Sequence, residues 1–357
     1  MARRSRVPVV VLGVAAALAS GAARGAGAQT LALALFERYL EPLRLQAGIP
    51  GLSAAIVLDG QVVWELGLGM RDLEGMHAAR PDTPYPIGDL TQTVTSALLF
   101  KCAELTRLSL EEPLGRWAPE SEWAGATLRQ VVSHAAPDAL RGFRYQSLRF
   151  ALLARPIEEC GDGPLHRLVA QYVLEPLAMI DAVPGHTIAA AVREGDETWM
   201  SDEMRERYEA SLARMARPYR VARRGRVSPG VLPPAGMDGA SGLVASVRDL
   251  AKFDAALDTH VLLRRETLEQ LWTPPVHNGT PAPFAMGWFV QSYQGETLVW
   301  HFGHVPDAYS SLLLKIPSRR LTLILLANSD GLSAPFALHE GDVTSSLFAR
   351  TFLRLFL

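Results

Sequence analysis

The sequence is short of several things that would place it outside the ordinary globular enzymes. Its 357 residues carry two cysteines, Cys102 and Cys160, which excludes a small disulfide-dense scaffold. A single bridge between them would need a geometry that spacing does not reveal. Cys102 stands among apolar residues of an expected helix, so a buried free thiol is the default expectation. Lysine is scarcer in proportion, with Lys101, Lys252 and Lys315 alone. There is no excess of positive charge, with 35 Lys+Arg against 37 Asp+Glu. Nothing in that balance attracts nucleic acid or an anionic membrane surface. The cluster Arg223-Arg224-Gly225-Arg226 reads as a solvated loop. His301 and His304 lie close together, but no third or fourth ligand stands at metal-binding spacing, so neither a metal nor a cofactor is expected. No repeat and no long low-complexity stretch occurs.

Long apolar runs are also missing, apart from the beginning of the chain. Arg3, Arg4 and Arg6 precede the run Val7–Ala19, and small residues ending Ala26-Gly27-Ala28 follow. The pattern reads as a secretory signal peptide over residues 1–28. The run contains Pro8 and is too short to span a bilayer comfortably, so no stable membrane insertion is expected after cleavage. Without its four arginines, 31 basic side chains face 37 acidic ones, about −6. Residues 29–357 form one expected domain, periplasmic or secreted.

What the chain does have is 48% hydrophobic and 20% charged residues, the balance of a globular protein with a large core. Leu31–Ala47 reads as a helix, with Pro42 as a kink or break. Leu52–Leu58 and Val62–Leu68 read as two strands around Asp59-Gly60, a strong hairpin signal. Tyr85-Pro86-Ile87-Gly88 runs into a helix at Asp89, where a carboxylate would accept backbone N–H bonds and suit the helix dipole. Thr127 with Gln130, and Ser246 with Asp249, read as capping boxes. Residues 186–215 read as a charged helical stretch. Ala285–Tyr293, Glu296–His301, Ala308–Ile316 and Leu321–Asn328 read as an antiparallel meander, and Pro335–Leu357 as a closing helix. Joined to the first hairpin, the meander gives one α+β domain: an antiparallel sheet built from both chain ends, flanked by helices, with a helical lobe from the middle.

Several segments together resemble the serine β-lactamase, penicillin-binding protein and esterase-like family. Tyr85-Pro86-Ile87-Gly88-Asp89-Leu90-Thr91-Gln92 is similar to its aromatic-x-Ile-Gly-Ser-x-x-Lys nucleophile segment. Leu108–Pro113, Thr127–His134 and Val173–Leu177 resemble further passages of it. Phe143-Arg144-Tyr145-Gln146-Ser147 is similar to the tyrosine-x-asparagine motif, with Ser147 for the asparagine. Trp300-His301-Phe302-Gly303 is similar to the third motif in its histidine-x-glycine form. His304-Val305-Pro306-Asp307 then departs from the glycines usual there. The resemblance implies a β-lactamase/transpeptidase-like fold. It implies family-equivalent catalytic positions at Asp89, Gln92, Tyr145 and His301, and a substrate cleft at Ser147, Gly303 and His304.

Two positions break the chemistry. The family attacks an acyl carbon with a serine hydroxyl whose proton passes to a lysine or tyrosine. Asp89 has no hydroxyl and Gln92 no amine. Lys101 lies about 18 Å along the helix axis, too far to replace the base. Loss of a nucleophile or its base costs on the order of 10⁶ in turnover in a well-studied protease. The expectation is therefore a homologue that has lost covalent catalysis and binds a small molecule, a peptidoglycan-type or acyl ligand, or a partner protein. The alternative is a hydrolase of esterase, β-lactamase or peptidase type with a changed route. Asp89 would then activate water, or Ser147 would attack with help from Tyr145 or His301. A third reading is a structural module with a collapsed cleft.

Overall fold

Asp59 and Gly60 both take positive φ, 52° and 75°, the backbone a two-residue hairpin turn demands. They join strand β1 (Gly51–Leu58) to β2 (Gln61–Asp72). A computed structural model of the chain describes residues 11–135, 143–188, 199–222, 225–232, 236–277 and 279–357. After β3 (His77–Ala78), the large sheet takes its remaining strands from the far end of the chain. These are β4 (Phe289–Tyr293), β5 (Glu296–Val305), β6 (Tyr309–Ile316) and β7 (Leu321–Ala327). The order is β4-β5-β6-β7-β1-β2-β3, antiparallel throughout. Leu52 faces Ala327 and Leu58 faces Leu321, so the two chain ends meet at the sheet centre. The α+β architecture expected from sequence is the one observed.

β6 and β7 are buried along their whole length, and β1 along all but its last residue. Their near-continuous apolar runs follow from burial on both faces. The helix Val247–Asp258 packs on β1 and β7, and is started by the expected box of Ser246 and Asp249. Lys315 of β6 is fully buried and donates to Asp254 at 2.8 Å and Asp258 at 2.7 Å on that helix. The first helix spans Val11–Gln46 without a break at Pro42. The backbone there thus continues the expected Leu31–Ala47 helix toward the N-terminus. Its Phe36 meets Trp64 and Phe352 edge-on at 5.6 and 5.8 Å. Phe352 lies on the closing helix Leu347–Phe356, which is shorter than expected because 3₁₀ turns at Leu338–Glu340 and Val343–Ser345 precede it.

The helical lobe is built from Thr91–Glu104, Leu128–Val132, Ala154–Gly161 and Leu165–Val169. Thr127 and Gln130 form the expected capping box. Of the charged stretch 186–215, Asp202–Ala213 is helical, and residues 189–198 lie outside the described residues, as do Arg223 and Arg224. The expectation of a free thiol is overturned. Cys102 and Cys160 are joined, with Cα atoms 6.1 Å apart. The bridge ties the Thr91–Glu104 helix to Ala154–Gly161, a proximity that a sequence separation of 58 hides from a sequence reading.

Candidate functional site

The segment Tyr85–Leu90 is held from both sides. Tyr85-Pro86 pairs with Val244–Ala245 as a two-residue strand, and the Tyr85 hydroxyl lies 2.9 Å from Ser53 Oγ of β1. The Ile87 N–H donates to Leu243 O, and Ile87 O accepts the Ser311 hydroxyl of β6 at 2.8 Å. Two glycines permit this close approach. A Cβ on Gly303 would lie 1.9 Å from Ile87 O, and one on Gly88, whose φ is +58°, would lie 2.9 Å from His304 N. Gly303 is buried against this segment, and His304 beside it is half-buried.

Asp89 does not cap a helix. Gly88–Leu90 is a 3₁₀ turn, the α-helix begins at Thr91, and its N-cap, Leu90, makes no side-chain bond. The Asp89 carboxylate turns aside instead. It accepts the Ser147 hydroxyl and a backbone hydrogen bond from His304. Its donors thus come from distant segments of the chain and not from the helix end. Gln92, fully buried one turn further on, donates from Nε2 to Tyr145 Oη at 2.8 Å and to Ser147 Oγ at 3.1 Å. Ser147 has one proton, and it goes to Asp89. Its bond with Gln92 must therefore come from the amide nitrogen. That fixes the amide orientation and leaves Gln92 Oε1 buried without a donor.

The segment 238–243 closes the same site. Thr95 Oγ1 donates to Gly239 O at 2.8 Å, and Thr91 Oγ1 accepts the Leu243 N–H. Asp238 is thereby brought close enough for its charge to act on Asp89. Burial pushes the Asp89 carboxyl up to about 7 and Asp238 adds to the rise, against the lowering bonds of Ser147 and His304. The residue as a whole is half-buried, so a window to solvent remains. Burial and the Asp89 charge hold the Tyr145 phenol well above its usual range, as a neutral hydroxyl.

His301 is brought near but not into this network. It is fully buried in β5, with Nδ1 2.6 Å from Phe302 O and Nε2 unpartnered. Burial lowers it to about 3, so it is neutral. Its ring lies 6.1 Å from that of Tyr145, inside a cluster with Phe284 and Phe289. His134 is buried in the same cluster, 4.6 Å from Phe284. No lysine approaches. Lys101 pairs with Glu104, Lys252 with Ala178 O, and Lys315 with Asp254 and Asp258. Thr93, on the same helix face as Asp89, bonds Leu90 O instead.

Sequence reasoning missed three contributors. Asp238 lies far along the chain and carries no motif. The backbone bond from His304 has no side-chain signature. A cleft of about 550 Å³ opens at Ser147, between Trp123, Leu148 and Leu152. Leu148 is 81% exposed there, and the Arg149 guanidinium lies 3.9 Å over the Trp123 ring. Nothing in the one-dimensional pattern joined Trp123 to the Tyr145 segment. No cluster of His, Cys, Asp and Glu among the described residues is arranged to hold a metal.

A both-ends antiparallel sheet with a helical lobe, and three segments converging at their junction, define the architecture of the β-lactamases and penicillin-binding proteins. The family profile described as Beta-lactamase matches residues 34–343, and the chain belongs to that family, of β-lactamase-like serine hydrolases. The unguisins hydrolase of Aspergillus campestris is 25% identical over 79% of this chain, which spans 59% of that relative's length. Two solved structures share the fold. The D-alanine carboxypeptidase AmpC of Burkholderia cenocepacia matches with a TM-score of 0.69 and 18% identity, over 89% of this chain and 97% of its own. An octameric penicillin-binding protein homologue from Pyrococcus abyssi matches with 0.67 and 23%, over 84% and 74%.

Proposed function

We propose that this chain is an exported member of the family that binds a ligand in the cleft beside Asp89 without covalent catalysis. The carrying observation is the Asp89 carboxylate at the nucleophile position. It takes up both the Ser147 hydroxyl and a His304 backbone bond. The first is the nearest hydroxyl, and the second is a donor that a developing oxyanion would need. Gln92 supplies an amide where the mechanism needs an amine, and the Tyr145 phenol is held neutral. Neither is a base. The ligand class is a peptidoglycan-type fragment, another acyl or peptide compound, or a partner protein. Export rests on the signal-like residues 1–28 and on the Cys102–Cys160 bridge, which persists in oxidising compartments. Among the described residues no helix is long and apolar enough to cross a membrane.

One observation favours a second reading. Ser147 Oγ donates to a carboxylate titrating near 7, which is the pairing of a nucleophile with a general base. Ser147 would attack the acyl carbon, its proton passing to Asp89 and then to the leaving group.

Turnover of a chromogenic β-lactam and of short aryl esters decides between them. The proteins to compare are the wild type, Ser147→Ala, and the double variant Asp89→Ser/Gln92→Lys. The non-catalytic reading expects a silent wild type and a gain of at least about 10³-fold in the double variant. Wild-type turnover abolished by Ser147→Ala, with an acyl adduct in the intact mass, overturns it for the second reading.

A further inference from the structure

Two helical runs lie side by side at the candidate site. Each carries a site residue at its start and a cysteine near its end. One opens at Gly88–Leu90 and continues through Thr91–Glu104, bearing Asp89, Gln92 and Cys102. The other passes from Ser147–Leu153 into Ala154–Gly161, bearing Ser147 and Cys160. Cys102 follows Asp89 by the same number of residues as Cys160 follows Ser147. At the near end the runs are joined by hydrogen bonds, from Ser147 to Asp89 and from Gln92 to Ser147 at 3.1 Å. At the far end the Cys102–Cys160 bond joins them, and between these ends they pack on each other. A second observation concerns access to that bond. Both cysteines line a surface groove together with Leu105 and Tyr172, which are 48% and 47% exposed. Cys160 is half-buried and Cys102 only 7% exposed, so an entering group meets Cys160 first. Lys101 and Arg107 line the same groove, and Arg107 Nη1 lies 3.5 Å from Cys160 O. Cations beside a cysteine favour its thiolate, and a favoured thiolate leaves a disulfide faster.

We propose that the Cys102–Cys160 bridge is a thiol-operated switch for the Asp89 site, opened through this groove by a dithiol reductant. This rests on the reading of the Asp89 region as the functional site. A thiolate of the dithiol attacks Cys160 Sγ. The Sγ–Sγ bond breaks, and its electron pair leaves on Cys102 Sγ, which takes up a proton. The second thiolate of the dithiol then attacks the reductant's own sulfur in the mixed disulfide. Cys160 leaves with that electron pair and takes up the second proton, and the dithiol ends as a disulfide. The far ends of the two runs are then free to part. The Ser147–Asp89 contact loses the covalent tether that keeps its partners near each other, and it loosens. In an oxidising compartment the resting state is the closed one.

The test is dithiothreitol on the folded, oxidised full chain at pH 8, with new thiols trapped by iodoacetamide and counted by intact mass. The opening rate should rise in proportion to dithiothreitol while the far-UV circular dichroism stays native. A rate that ignores the concentration means that the bridge opens only through unfolding, and overturns the proposal. Arg107→Gln should slow opening about threefold, with an unchanged thermal melt showing that it folds. An unchanged rate overturns the groove as the route. In ¹⁵N-labelled reduced protein the Asp89 and Ser147 amide signals should shift, and hydrogen exchange over 147–161 should speed at least about tenfold. Both changes should reverse on reoxidation. Reduction that leaves these signals in place overturns the switch. None of these readouts uses a ligand or turnover. Wild-type ester turnover beside a working switch would fail the non-catalytic reading alone. A silent wild type whose Asp89 signals ignore reduction would fail this inference alone.

Discussion

Two buried polar clusters in this molecule are built on opposite terms. Around Lys315 the ammonium is fully enclosed and touches Asp254, Asp258 and Thr322. Burial alone would lower the Lys315 pKa, but the two carboxylates hold it above its usual range. Around Asp89 the carboxylate has a hydroxyl and a backbone bond but no cation among the described residues, and burial raises its pKa. The first cluster joins helix Val247–Asp258 to β6 and β7, and its partners all come from the chain. The second is half-buried, and its carboxylate has no cationic partner among the described residues. A closed network locks elements together, whereas an open one of the same residue types leaves interaction energy for something that arrives later.

The contrast can be broken at either end. The largest effect is expected from Lys315→Met. It leaves two buried carboxylates facing each other and should cost about 3–5 kcal/mol, read as a lowered urea midpoint. A change of under about 1 kcal/mol would show that the Lys315 cluster is not the lock described. Next comes the Cys102→Ala/Cys160→Ala pair. The bridge joins cysteines 58 apart in sequence and closes a loop that carries both Tyr145 and Ser147, so removing it should cost about 2–4 kcal/mol. It should also loosen the Ser147 contact with Asp89, seen as a change in the Asp89 carboxyl titration by NMR. An unchanged titration would mean that packing alone positions the segment.

The smallest effect has the most telling sign. A folded-state carboxyl raised to about 7 favours the protonated form. The native state therefore carries no penalty below the ordinary carboxylate pKa near 4. The penalty grows between pH 4 and 7 and is constant above. Three units correspond to about 4 kcal/mol if fully shielded, and partial exposure brings the expectation to about 2 kcal/mol. Asp89→Asn should thus match the wild type near pH 4 and exceed it by that amount at pH 8, in paired thermal melts. Equal stability at both pH values would place Asp89 in ordinary solvent and remove the contrast with Lys315.

Much of this was legible in the chain. The Asp59-Gly60 hairpin, the capping boxes at Thr127 and Ser246, and the four C-terminal strands are local signals, set by φ preferences and side-chain alternation. Their joining into one sheet was an expectation with which the family resemblance agreed, since periodicity alone does not say which strands pair. β5 runs on to Val305 beyond the expected His301, because its extra residues pair with Tyr309–Leu312 of β6. The convergence of Asp89, Gln92, Tyr145 and Ser147 was expected, but the direction of each bond was not. Asp89 looked like a cap because a helix start is the nearest set of free N–H groups in sequence. The tertiary structure offered it a hydroxyl 58 residues away.

The sequence by itself determined that Asp89 and Gln92 stand where the family resemblance implies a serine and a lysine, and that the chain holds only three lysines. Residue identity is enough for that. Only the tertiary structure decided that all three lysines are engaged elsewhere, that Cys102 meets Cys160, and that the charge of Asp238 acts on Asp89. Electrostatic interaction depends on distance through space and on the exclusion of water. Neither exists until the two ends of the chain have closed into one sheet.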